Sequence, residues 1–312
     1  MLVNGWTDAP VNIATAIRSG AVRPNTAILL SSVCNFFGAA VMCVLGSSVA
    51  VSIYSISGLS RAGDKALPAL SAAILAVVIW SLAALCFGLP TSESHALTAG
   101  LSGAAAAVSG IGNINGGEWL KVLSGLLLST LPVAVIAFFA AHLLEYKTDL
   151  GDGTFRKLQV LGAAMSSFAH GAQDGQKFAG VLTLAAAMSL GVTADSITVP
   201  IWTALVSAVL ISLGTLFGGR KIIKRFGELA PTNPAAGFAS DLVSAVMLTV
   251  LSMLGLPAST THAKTCAVIG AGASKSRISK NGTVRSMLAA WGLTFPVTAV
   301  LGFILTKILF LF

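Results

Sequence analysis

Long apolar runs dominate this chain and constrain its fold more than any other feature. Runs near or above the length that a helix needs to cross a bilayer, about 20 residues, extend over 25–54, 66–87, 118–144, 198–218, 237–254 and 284–311. Charged residues make up only 10% of the 312 residues, whereas a soluble domain carries about 25%. So few charges cannot cover a water-facing surface, which excludes a soluble enzyme, a disordered chain and a nucleic-acid-binding protein. The sequence predicts an all-α polytopic membrane protein.

The basic residues fit membrane insertion better than nucleic-acid binding. The net charge is +8, but Lys and Arg cluster in short loops between apolar runs, as the positive-inside rule predicts for cytoplasmic loops. We therefore expect an integral protein of the plasma membrane of a bacterium, with no nucleic-acid partner. The four cysteines lie in apolar segments, and neither they nor the four histidines have the spacing of metal ligands.

The sequence contains an internal repeat. Residues 88–96, Gly-Leu-Pro-Thr-Ser-Glu-Ser-His-Ala, resemble residues 255–263, Gly-Leu-Pro-Ala-Ser-Thr-Thr-His-Ala, which follow 167 residues later. Asp8 and Asp174 lie in polar segments separated by nearly the same distance. A repeat of this length in an apolar chain indicates two copies of one membrane unit. The predicted parts are a first repeat over 1–146 with a hairpin over 66–110 and a span over 118–144, a connecting loop over 147–157, and a second repeat over 158–312 with a hairpin over 237–274.

Loop charges predict that the two repeats have opposite orientations in the membrane. The loops beside the second hairpin are strongly basic and contain Arg220, Lys221, Lys224, Arg225, Lys275, Arg277, Lys280 and Arg285. The loops beside the first hairpin contain only Arg61, Lys65 and Lys121, together with acidic residues. If basic loops stay cytoplasmic, the second hairpin is re-entrant from the inside and the first from the outside. Inverted repeats are typical of transporters, because two related halves support alternating access.

Each repeat begins with a polar island inside an apolar segment. Residues 4–10 contain Asp8, and residues 170–177 contain Asp174. A carboxylate at membrane depth is costly unless it meets a cation, a proton or a water-filled cavity. Glycine and proline around the aspartates predict a broken helix in each repeat. Only seven residues precede Asp8, so we expect either a short first helix or, preferably, a chain that begins downstream of the usual start.

The polar islands are candidate sites for a coupling cation, which is sodium or a proton. A broken helix offers free carbonyl groups beside a carboxylate, and hydroxyl and amide oxygens add further ligands. The alternative is a buried structural ion pair, for example between Asp174 and Lys177. The candidate ligands of the cation are Asp8, Asp174, Thr7, Asn12, Gln173 and Gln176.

Hydroxyl residues follow the proline of each repeated segment and predict an anion site. At a helix N-terminus, free backbone amides and the positive end of the dipole bind anions, and hydroxyls donate further hydrogen bonds. Two such tips that face each other suit a tetrahedral oxyanion, although these hydroxyls also serve simply as helix caps. The candidate residues are Thr91, Ser92, Ser94, Ser259, Thr260 and Thr261. His95 and His262 either orient the tips, titrate during proton coupling, or only pack.

These motifs resemble those of the inorganic phosphate transporter family. The duplicated tip segment, the two aspartate islands and the region 228–238 carry the resemblance, which spans essentially the whole chain. The Asn-Asp pairs of the family correspond here to Thr7-Asp8 and Gln173-Asp174, so both aspartates are kept and both asparagines are replaced.

The resemblance implies a transporter and not an enzyme. It implies symport of inorganic phosphate with sodium or protons, inverted repeats with two hairpins at the substrate site, no cofactor, and often a homodimer. Sulfate, which some relatives carry, is the alternative substrate. An anion channel, in which the hydroxyl tips act as a selectivity filter, is a further alternative.

Overall fold

The regular structure of the chain is helical throughout the residues that the computed structural model describes, which are 1–46, 48–59, 62–191, 198–274 and 281–311. Apolar runs rich in alanine and leucine favour helices, and in lipid a helix satisfies its own backbone groups. The helices are α1 (Leu2–Thr7), α2 (Val11–Arg18), α3 (Pro24–Leu45), α4 (Ser48–Ile56), α5 (Ala66–Phe87), α6 (Glu93–Ser109), α7 (Gly116–Leu128), α8 (Leu131–Lys147), α9 (Asp152–Ser189), α10 (Ile201–Leu216), α11 (Arg220–Gly227), α12 (Pro234–Met253), α13 (Thr260–Ala273) and α14 (Asn281–Leu309).

Several helical segments are long and apolar enough to cross a membrane. Among the described residues there are five, or six if the bent pair of α10 and α11, which meet at 73°, counts as one span. Large apolar side chains such as Phe37, Phe87 and Phe139 are exposed on their outer faces, where lipid replaces water as the solvent. The prediction of an all-α polytopic membrane protein is confirmed. The five segments are Pro24–Leu45, Gly63–Phe87, Gly116–Lys147, Pro234–Met253 and Gly282–Leu309.

The apolar run 25–54 does not form a single helix. It consists of α3, which ends at Leu45, and α4, which begins at Ser48. Gly46 caps α3 in extended backbone, so the helical path is interrupted there. The span 118–144 also contains a break, between α7 and α8, where Pro132 lies in the first turn of α8 and has no N–H to continue the preceding helix.

The predicted break around Asp174 is wrong, because α9 runs without interruption from Asp152 to Ser189. A β-carbon on Gly171 would come within 2.2 Å of the Asn35 carbonyl oxygen, and one on Gly175 within 2.4 Å of the Ala39 side chain. Glycines four residues apart on one face let two helices approach closely. These glycines therefore pack α9 against α3 and do not break α9.

The predicted break around Asp8 is present. Helix α1 ends at Thr7 and α2 begins at Val11, so Asp8 caps the end of a short helix. Pro10 directly precedes α2, where its missing N–H costs nothing. The break places Asp8 between two short helices instead of on the face of a continuous helix.

Two helical hairpins, α5–α6 and α12–α13, carry the repeated Gly-Leu-Pro segment at their tips. Gly88 and Gly255 end the first helix of each hairpin with φ of 65° and 69°, a left-handed backbone that glycine adopts without strain. The second helix of each hairpin then begins one residue after a serine, at Glu93 and Thr260. Both predicted helix starts are present.

Each hairpin packs against the last long helix of the other half of the chain. Helix α6 packs on α14, and α13 packs on α8. A β-carbon on Gly103 would come within 2.0 Å of the Ala299 carbonyl oxygen, and one on Gly270 within 2.0 Å of the Ala134 carbonyl oxygen. The second helix of each hairpin is therefore held against the other half of the chain. The inverted orientation and the limits of the repeats stay predictions, and four basic residues used for them, Arg61, Lys275, Arg277 and Lys280, lie outside the described residues.

Candidate functional site

Both polar islands and both hairpin tips meet in one buried cluster. The Thr7 hydroxyl donates a hydrogen bond to Glu93 Oε1 at 2.9 Å, which joins the first island to the first tip. The Thr261 hydroxyl donates to Asp8 Oδ2 at 3.3 Å and so joins the second tip to the first island. Thr260 completes the cluster by donating to Asp174 Oδ2 at 3.4 Å. Segments far apart in the sequence thus converge in one cluster.

Asp8 shares its surroundings with a second carboxylate, that of Glu93. Both side chains are buried, and the Thr7 hydroxyl lies 3.2 Å from Asp8 Oδ1 and 2.9 Å from Glu93 Oε1. No basic side chain of the described residues forms a salt bridge with either carboxylate. Two buried carboxylates that share one hydroxyl need a cation or a proton between them.

Asp174 instead has a lysine partner on its own helix. Lys177 Nζ donates to Asp174 Oδ1 at 2.6 Å, and Asn4 Nδ2 donates to Asp174 Oδ2 at 2.9 Å. His170 Nε2 lies 3.3 Å from the same oxygen. The ion pair with Lys177, which the sequence offered as the alternative for Asp174, is thus what the structure contains.

The two tips contact each other through Ser94 and Ala258. The Ser94 hydroxyl donates to the Ala258 carbonyl oxygen at 3.1 Å, so the tips face each other. Ser92 and Ser259 accept hydrogen bonds from the backbone N–H groups of His95 and His262 at 3.3 and 3.2 Å. These two serines therefore cap α6 and α13, while the Thr260 and Thr261 hydroxyls bond to Asp174 and Asp8. Thr91 is buried beside the first cap.

His95 and His262 lie side by side behind the tips, with ring centroids 4.7 Å apart. The ring of His95 stacks on Phe295 at 4.4 Å, and that of His262 lies 3.7 Å from Trp291. Within the described part of the chain, no hydrogen-bond partner reaches their ring nitrogens. The geometry supports packing as the role of these rings.

Three predicted amide ligands form their hydrogen bonds away from the aspartates. Asn12 Oδ1 accepts from the Ser166 hydroxyl at 2.9 Å. Gln173 Nε2 donates to the Leu256 carbonyl oxygen at 2.9 Å, and Gln176 Nε2 bonds within its own helix. Asn12 thus connects α2 to α9, and Gln173 connects α9 to the segment between α12 and α13.

The arrangement offers complementary chemistry for a cation and an anion. Carboxylate and hydroxyl oxygens around Asp8 suit a hard cation or a proton. The N-termini of α6 and α13, with hydroxyls in their first turns, suit an oxyanion. Among the described residues, no group of three or more His, Cys, Asp or Glu is placed to hold a metal ion.

Comparison with known proteins assigns the chain to a family. The model of the phosphate transporter family matches residues 4–151 and 146–302, nearly the whole chain. The chain belongs to the phosphate transporter family. Proteins described as probable low-affinity inorganic phosphate transporters in Bacillus subtilis and Rhizobium meliloti are each 32% identical to it, over 96% of this chain and 91% and 90% of theirs.

A solved structure shares the fold of this family member. It is described as the sodium-dependent phosphate transporter and superposes with a TM-score of 0.86 at 23% identity, covering 99% of this chain and 96% of that one. Relatives and structural neighbour are transporters and not enzymes. The protein is thus an integral membrane protein of a transporter family, as the resemblance of its motifs implied.

Sequence reasoning missed a second buried ion pair in this family member. Lys264 Nζ donates to Asp241 Oδ1, and both side chains are fully buried. The Thr15 hydroxyl also donates to Asp241 Oδ1 at 2.7 Å, and Ser166 lies 3.4 Å from the ammonium. The pair joins α12 to α13 beside α2 and α9. Both residues lie within the predicted second hairpin, so charge at membrane depth was the signal that could have found them.

Sequence reasoning also missed Glu93, which lies in the first tip segment. It is buried and hydrogen-bonded to Thr7, so it belongs to the same cluster as Asp8. The signal was again an acidic residue inside an apolar segment.

Proposed function

We propose that this protein is a secondary transporter that moves inorganic phosphate across the bacterial plasma membrane in symport with sodium or protons. The observation that carries the proposal is the convergence of two hydroxyl-bearing helix N-termini on two buried aspartates. The relatives described as phosphate transporters support phosphate as the substrate, and the structural neighbour described as sodium-dependent supports a coupling cation. The homodimer implied by the resemblance stays a prediction.

The proposed anion site lies between the tips. Ser94, Thr260 and Thr261 have hydroxyls in the first turns of α6 and α13, and the free backbone amides of these turns add donors. Ser92 and Ser259 hold the turns in shape as caps. Because Ser94 bonds to Ala258 of the opposite tip, entry of an anion requires this contact to open.

The proposed coupling site is Asp8 with Glu93, Thr7 and Thr261. A cation there neutralises two buried carboxylates, and the Thr261 hydroxyl connects the site directly to the second tip. Cation binding and anion binding therefore favour each other electrostatically. Each bound ion stabilises the opposite charge of the other, which would be costly by itself in the apolar interior of the membrane.

The buried carboxylates favour phosphate over sulfate. Monohydrogen phosphate has an O–H that donates to a carboxylate, whereas sulfate has only acceptor oxygens at neutral pH. Bound sulfate would leave the carboxylate oxygens without a hydrogen-bond donor, and a site discriminates strongly against an anion that leaves its buried polar groups unpaired.

Uptake into proteoliposomes tests the proposal. We expect the purified protein to take up radiolabelled phosphate faster under an inward sodium or proton gradient, and unlabelled phosphate to compete better than sulfate. Stronger competition by sulfate would reassign the substrate. Uptake that follows the membrane potential but ignores both cation gradients would indicate a channel and contradict the proposal.

A further inference from the structure

The Lys177 ammonium is surrounded as a bound metal cation would be. Its Nζ lies 2.6 Å from Asp174 Oδ1, 2.5 Å from the Ser94 hydroxyl oxygen and 2.6 Å from the Ala258 carbonyl oxygen. A carboxylate, a hydroxyl and a backbone carbonyl are the oxygen ligands that hold alkali cations at interrupted helices. The side chain is only 2% exposed, so the ammonium has no water to interact with instead.

These three oxygens use the full donor capacity of Lys177. An ammonium has three N–H donors and no acceptor, and each donor here has its own oxygen. None is left for a substrate anion in this arrangement. The contacts come from α9, the first tip and the second tip, so the ammonium joins the three elements that form the candidate site.

The first repeat has no equivalent of this lysine. The offset of 166 residues that matches Asp8 to Asp174 places Val11 at the position of Lys177. Asp8 bonds instead to the hydroxyls of Thr7 and Thr261. The two matched aspartates therefore differ in one respect: one has a covalently attached cation beside it and the other does not.

We propose that Lys177 is a tethered cation that fills the position beside Asp174, so that a free coupling cation binds only beside Asp8. The protein then moves one cation fewer per transport cycle than a transporter in which both aspartates bind a free cation. The inference rests on the proposed cation coupling. Its test, however, counts bound cations in the purified protein and requires no phosphate transport.

Equilibrium binding of radioactive sodium ions to the purified protein in lipid nanodiscs tests the inference. In Lys177→Gln the carboxylate, hydroxyl and carbonyl oxygens lose their cation, and we expect this variant to bind one more sodium ion per protomer than the wild type. The double variant Asp174→Asn/Lys177→Gln lacks both charges, and we expect it to bind the same number as the wild type. Lys121→Gln, which removes a lysine paired with Glu118 at the surface, is the control for loss of one positive charge and should leave the number unchanged.

Two results would overturn the inference. One is a Lys177→Gln variant that binds no more sodium than the wild type. The other is a double variant that binds one sodium ion fewer, because Asp174 would then hold a free ion in the wild type. If the single variant does not fold, the sodium count of the double variant decides, since removing both charges of this ion pair leaves neither Asp174 nor Lys177 as an unpaired buried charge. Lack of phosphate uptake by the wild type would contradict the proposed function without altering these sodium counts.

Discussion

Asp8 and Asp174 match in the sequence but have different electrostatic partners. Asp174 bonds to Lys177 and Asn4, so its charge is compensated within the protein. Asp8 bonds to hydroxyls and lies near Glu93, so its charge requires a partner from outside. The equivalence of the two positions was visible in the sequence. Lys177 was also visible there as a candidate partner of Asp174, but only the assembled fold brings the Ser94 and Ala258 oxygens to its ammonium.

The substitution Asp8→Asn tests the role of this carboxylate. The amide keeps the size and one acceptor oxygen but removes the charge that attracts a cation, so we expect phosphate uptake to fall by roughly tenfold or more and its cation dependence to weaken. Initial uptake rates over a range of sodium concentrations and pH measure both effects. Asp149→Asn, at an exposed position, is the matched control, and equal uptake in the two variants would refute the assignment.

The buried pair of Asp241 and Lys264 is predicted to matter for stability. In Asp241→Asn the Lys264 ammonium stays buried without its counter-charge, which costs about 3–5 kcal/mol in other proteins. We expect a clear drop in the temperature at which the purified protein loses its monodisperse chromatographic peak. Asp241→Asn/Lys264→Gln should recover much of the loss. A double variant less stable than the single one would argue against the charge as the cause.

At the scale of elements, local signals predicted the hairpin tips well but failed for α9. A positive-φ glycine, a proline and a capping serine lie within a few residues of each other, so the helix starts at Glu93 and Thr260 could be read locally. The glycines of α9 carry the same local signal for a break. Their actual role depends on α3, more than 130 residues earlier in the chain, and no local pattern reveals that neighbour.

Gly171→Ala tests whether the α9 glycines serve packing. A β-carbon there meets the Asn35 carbonyl oxygen at 2.2 Å, so we expect a loss of stability of about 1–3 kcal/mol, as in other overpacked interiors. Gly153→Ala is the control on the same helix, because nothing lies within 4 Å of its added β-carbon and alanine favours helix. If Gly171→Ala proved as stable as Gly153→Ala, the packing explanation would fail.

At the scale of the whole molecule, the candidate site depends on both halves of the chain. Helix α8 of the first half supports the second hairpin, and α14 of the second half supports the first. The repeat and the membrane class were predictable, since they rest on spacing and hydropathy. The crossed packing and the ion pair between Asp241 and Lys264 were not, since they join residues whose neighbourhood is set by the assembled helices.

The crossed packing predicts that neither half forms the site alone. Expressed separately, residues 1–146 and 158–312 would each expose the helix surface that the other half covers. We expect neither half to bind sodium, and co-expression of both to restore binding in the purified complex. Sodium binding by the isolated first half would contradict this dependence.

The central claim is that cation binding beside Asp8 drives phosphate movement. The most direct test is the steady-state accumulation of labelled phosphate in proteoliposomes, measured with an inward sodium or proton gradient and again after an ionophore has dissipated that gradient. Coupled transport predicts that internal phosphate exceeds the external concentration only while one of the gradients is present. Equilibration to equal concentrations, with or without either gradient and at zero membrane potential, would contradict it.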